Sequence, residues 1–73
     1  MISDPEIAHQ ISRLMLDLFR QVDESLADVR ERCPTDEARA YQSATGKVAG
    51  AIVMDVLEPL YLRHPELKPP KWG

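Results

Sequence analysis

Between Ile7 and Cys33 the apolar residues Ile7, Ile11, Leu14, Leu18, Val22, Leu26, Val29 and Cys33 recur at steps of four, three, four, four, four, three and four. Met15 and Phe19 lie beside them. Only an α-helix gathers such spacing into one stripe, because its side chains return to the same side every 3.6 residues or about that. Two chemistries can start this helix: Ser3 with Glu6 as a capping box, or Asp4 as the cap with Pro5 in the first helical position. Pro34 ends it, since the residue before a proline is pushed out of the α region. The spacing therefore predicts one amphipathic helix over about 5–32. Its mean step, about 3.7, lies above the repeat of a left-handed coiled coil and predicts nearly straight packing.

Thr35 is placed to cap a second helix, with Asp36 and Glu37 in its first turn, where the helix dipole favours negative charge. Tyr41, Ala44, Val48, Ile52, Val56 and Leu60 then fall on one side, with Thr45, Ala49, Val53 and Leu57 alongside. This predicts a helix over about 36–63, kinked or broken near Pro59, whose ring cannot join the helical ladder. So short a link predicts that the second helix folds back antiparallel to the first. From Pro65 onward the tail 65–73 reads as extended and proline-rich, with Leu67 and Trp72 its only large apolar groups. Those two residues either strap the tail over the helices or offer a short motif to a protein partner.

The expected fold is thus all-α, a single antiparallel two-helix hairpin spanning 1–73. At 73 residues such a chain has a marginal core and needs a staple. Cys33 is the only cysteine, so an intrachain disulfide is impossible, and a metal or a second subunit remains. From Val48 to Leu57 only Asp55 is charged and only Gly50 lacks a side chain. That arc is wider than one neighbouring helix covers, which predicts a homodimer forming a four-helix bundle. The predicted interface comprises Gly46, Val48, Ala49, Gly50, Ile52, Val53, Val56 and Leu57. Gly46 and Gly50 there would admit a close helix backbone, and each costs roughly 1 kcal/mol relative to alanine.

Charge narrows the function classes. Nine basic against twelve acidic residues give a net charge of −3, and Arg13, Arg20, Arg30, Arg32 and Arg39 are interleaved with Asp17, Asp23, Glu24, Asp28, Glu31, Asp36 and Glu37. Such alternation describes a solvated helix face, so nucleic acid is not expected as a partner. A small nucleic-acid regulator, built if the helix 1 arginines of two subunits merged, is the alternative. The start Met-Ile-Ser-Asp-Pro has no basic region followed by an apolar run, so no secretory signal is expected. The longest apolar stretch, Val48 to Leu57, is broken by Asp55 and about half the length of a bilayer crossing, so no membrane association is expected. A lone cysteine suits a reducing, cytoplasmic setting.

Chemistry-bearing groups are few. Glu6-x-x-His9 has the spacing of a di-iron carboxylate helix, and an antiparallel arrangement could bring Glu58, His64 or Glu66 beside it. Glu6, His9, Glu58 and His64 are therefore the metal candidates, behind the simpler roles of Glu6 as a capping residue and His64 as a cation at a helix C-terminus. Asp55 reads as outward-facing or paired with Arg13, ahead of a buried acid. No catalytic triad or phosphate loop is present. The expectation is a non-enzymatic interaction or scaffold protein, acting as a homodimer without a cofactor, with a metal-binding bundle as the second alternative.

Overall fold

In the computed structural model, which describes residues 1–70 and Trp72, the first helix, α1, spans Pro5–Arg32. Of the two possible caps Asp4 is the one used. Its Oδ1 accepts from the backbone N–H of Glu6 at 2.9 Å and of Ile7 at 3.2 Å, which satisfies two donors that the first turn leaves free. At the other end Cys33 adopts an extended backbone ahead of Pro34, while its N–H still donates to Val29 at 2.9 Å.

Helix α2 spans Thr35–Ala51. Thr35 is its first residue and not its cap. The link between helices consists of Cys33 and Pro34 alone, so Pro34 occupies the cap position, and its carbonyl accepts from Ala38 at 3.0 Å.

The helix then runs on through Pro59 without a break, but its turn widens first. Ile52–Leu57 form a π-helical segment, followed directly by α3 at Glu58–Arg63. The Glu58 N–H reaches back five residues to the Val53 carbonyl. A proline lacks the N–H for the carbonyl four residues earlier and crowds it with its ring, and the wide turn just ahead of Pro59 absorbs that misfit. Beyond His64 a 3₁₀ turn, Pro65–Leu67, folds the tail back, so it is not extended throughout. Trp72 meets Tyr61 edge-on, with ring centroids 5.2 Å apart and planes at 82°. Positions 71 and 73 of the expected tail lie outside the described residues.

Among the described residues all regular structure is helical. Three contacts tie the second half of the chain to α1 and to the residues just before it. Ser25 and Tyr41 share a hydroxyl hydrogen bond at 2.7 Å, Ser12 and Tyr61 another at 2.7 Å, and His64 Nε2 donates to the Ile2 carbonyl at 2.5 Å. The result measures 44 × 20 × 16 Å. Its core is small: Ile52, Leu57 and Tyr61 form the central cluster, with Met15, Leu16, Leu67 and Trp72 packed against it. Among the described residues only Leu57 and Leu60 are large side chains wholly enclosed. On α1 the innermost residues are Ala8 and Ser12, and small inward side chains let helices approach closely.

Candidate functional site

With Ala8 and Ser12 turned inward, the α1 stripe is wider than its neighbours cover. Met15, Leu16, Val22 and Leu26 are half-buried along the inner edge, whereas Ile7, Leu14 and Leu18 remain 44%, 48% and 37% exposed. Those three, with half-buried Ile11, repeat at steps of four, three and four and so form one row on α1. On α2, Val48 is 49% exposed.

The Ser25–Tyr41 hydrogen bond places the two sets on the same side. Ser25 lies two helical turns beyond Leu18, and Tyr41 lies two turns before Val48, so a contact between Ser25 and Tyr41 joins the Leu14–Leu18 edge of α1 to the Val48 edge of α2. Ile7, Ile11, Leu14 and Leu18 thus form an uncharged row on α1 whose near edge of α2 carries Ala44 and Val48, while on its far side Leu14 borders a shallow depression shared with Arg13, Asp17 and Arg20. Phe19, Met54 and Leu62 are also exposed; Leu62 borders Tyr61 and Trp72 in a shallow pocket beside Glu58 and Lys68.

A separate groove of about 150 Å³ between α1 and α2 is lined by Phe19, Val22, Leu26, Thr45, Gly46 and Ala49, together with Asp23 and Gln42. It holds two of the residues assigned from sequence to a subunit interface, Gly46 and Ala49. The others divide. Ile52 and Leu57 are buried inside the chain itself, Gly50, Val53 and Val56 are half-buried, and Val48 belongs to the uncharged face. A Cβ built on Gly46 or Gly50 meets nothing within 4 Å, so no packing inside the chain calls for either glycine.

The metal candidates are not brought together. Glu6, His9 and Glu58 are exposed, while His64 is buried with Nε2 on the Ile2 carbonyl and Nδ1 3.4 Å from the Glu66 carboxylate. Among the described residues no three His, Cys, Asp or Glu side chains converge on a point where an ion could sit. His64 acts instead as a clasp between the two ends of the chain.

Of the arginines, Arg20 lies between two acids. It pairs with Asp17, one turn before it, and with Glu24 at 3.1 Å, one turn after it. The hydrogen bond from Arg20, and then its charge, hold the Asp17 carboxyl below the ordinary value, while Asp17 raises Arg20 in return. Asp55 is exposed, and among the described residues no ion pair joins it to Arg13. Leu67 and Trp72, the tail's apolar pair, pack on the central cluster beside Tyr61. No described helix is long and apolar enough to cross a membrane.

The uncharged face was present in the sequence as the width of the α1 stripe, with Met15 and Phe19 flanking the main row. What the stripe did not reveal is that Ala8 and Ser12 take the inward position and leave the larger residues outside. No family model, curated protein or solved structure matches the chain.

Proposed function

We propose that this protein is a non-enzymatic interaction module: a helical hairpin that pairs with a second copy of itself to form a four-helix bundle, working in the cytoplasm. One observation carries the reading. Among the described residues Leu57 and Leu60 are the only large side chains completely enclosed, yet Ile7, Leu14, Leu18 and Val48 are more than one-third exposed. Helices of this length gain most of their stability from packing an apolar face, and here much of that face is in water. Its Cα radius of gyration, 14.5 Å, exceeds the roughly 11 Å expected of a compact domain of this length.

A second subunit supplies the missing half of the core without metal or disulfide. The half-buried Cys33 thiol suits a reducing compartment. The melting temperature of a two-subunit fold rises with protein concentration, because association is coupled to folding. Thermal unfolding followed by circular dichroism from micromolar to near-millimolar protein, with reductant present, should show a rise of several degrees. A concentration-independent transition would count against the reading.

A further inference from the structure

We infer that the second copy docks on the face formed by Ile7, Leu14 and Leu18 of α1 and Val48 of α2, not on the glycine-lined groove around Gly46. This inference rests on the self-association proposed above and specifies where it occurs.

Area is the first argument for a second copy. The chain exposes 5410 Å², whereas a compact monomer of 8.3 kDa should expose about 4,600 Å². The surplus, about 800 Å² over the whole elongated chain, leaves room for the surface that each partner contributes to a standard protein interface. Composition is the second. From Ile7 through Leu18 the row carries no charge, and its α2 edge continues through Ala44 and Val48. A two-fold axis brings the same patch of each subunit together, and an uncharged patch meets its own copy without like-charge repulsion. The charges that border Leu14 on its far side, Arg13, Asp17 and Arg20, are of both signs, so two copies can set opposite charges together at the rim, whereas the groove on the other side has only the acid Asp23.

Spacing is the third. Steps of four, three and four suit helix against helix, where side chains of one row settle between those of another. Centred near Ile11 and Leu14, the α1 helices of the two subunits cross there, and the Val48 edges of α2 close over them. Gly46 and Gly50 remain outside the contact.

The test uses the full chain with Cys33→Ser, into which one new cysteine is placed. Leu14→Cys lies at the proposed contact, and Gly46→Cys lies in the groove, where a Cβ meets nothing within 4 Å. Under mild oxidation the Leu14→Cys chain should form a disulfide-linked species of twice the chain mass, at least tenfold faster than the Gly46→Cys chain. Crosslinking at Gly46 as fast as or faster than at Leu14 overturns the assignment.

A second pair of variants asks the same question without oxidation. Leu14→Glu should weaken self-association by about 100-fold or more, and Gly46→Leu should leave it unchanged. A dimeric parent chain that tolerates Leu14→Glu but is split by Gly46→Leu would refute this face and leave self-association standing. A parent chain that is monomeric throughout would refute both.

Discussion

Ser12 and Tyr61 share a hydroxyl–hydroxyl hydrogen bond of 2.7 Å inside the buried strip between α1 and α3, with neither side chain more than a few per cent exposed. Two polar groups in so small a core are tolerable only because each satisfies the other. Removing one hydroxyl should therefore cost more than an average hydrogen bond. Tyr61→Phe is expected to destabilise the fold by about 1–2 kcal/mol, read by denaturant unfolding at fixed protein concentration. The companion change Tyr41→Phe should cost less, since Ser25 also donates to the Val22 carbonyl at 2.6 Å and is only partly buried. Equal costs would show that burial does not set the value of these bonds.

The two helical glycines should be replaceable. Each sits in a helix interior or at its edge with open space where a Cβ would go, and glycine gives up about 1 kcal/mol relative to alanine there. Gly46→Ala is expected to raise the unfolding free energy by up to that amount, with the mass in solution unchanged. A loss of stability accompanied by dissociation would mean that another helix lies against the glycines after all.

The widened turn before Pro59 behaves as a one-residue insertion. Ile52 and Leu57 both point inward although they are five residues apart, a spacing that a regular helix would place on different sides. Deleting Met54, which is well exposed, should restore a regular helix and keep Leu57, Leu60 and Tyr61 in phase with α1. We expect the Met54 deletion to fold cooperatively but at a cost of about 3 kcal/mol, because the regular helix again meets the ring of Pro59. Deletion of Ala44 in α2 has no such slack and should abolish cooperative unfolding.

Asp17 offers a titration test. Its carboxyl is held below the ordinary value of 3.8 by the Arg20 hydrogen bond first and the Arg20 charge second. A carboxyl depressed in the folded state contributes its stability above its unfolded value and loses it as pH falls through the folded one. Both side chains are exposed, so the effect belongs to the titration curve and not to global stability. Arg20→Ala should move the Asp17 midpoint upward, toward 3.8, in an NMR titration of the side-chain carboxyl carbon. An unmoved midpoint would exclude Arg20 as the cause.

The all-helical class was legible from the steps of the α1 stripe and from the stop signal at Cys33-Pro34. Less legible was which edge of a wide stripe turns inward. Hydrophobicity alone favours Ile7 and Leu14, but close helix approach favours Ala8 and Ser12, and the tyrosine hydroxyls give Ser12 and Ser25 partners that no periodicity displays. The π turn was hidden for a similar reason. Pro59 signalled a disturbance, yet the chain accommodates it one turn earlier, where Val48, Ile52 and Val56 look like an unbroken row. Leu57 therefore replaces Val56 as the enclosed residue. For the metal candidates, shared chain ends did not translate into convergent side chains: among the described residues no three ligating groups meet.

Sedimentation equilibrium of the unmodified chain, with reductant present, tests self-association most directly. A single species of twice the 8.3 kDa chain mass is expected, dissociating only on dilution. A well-folded species of one chain mass up to millimolar concentration would contradict it.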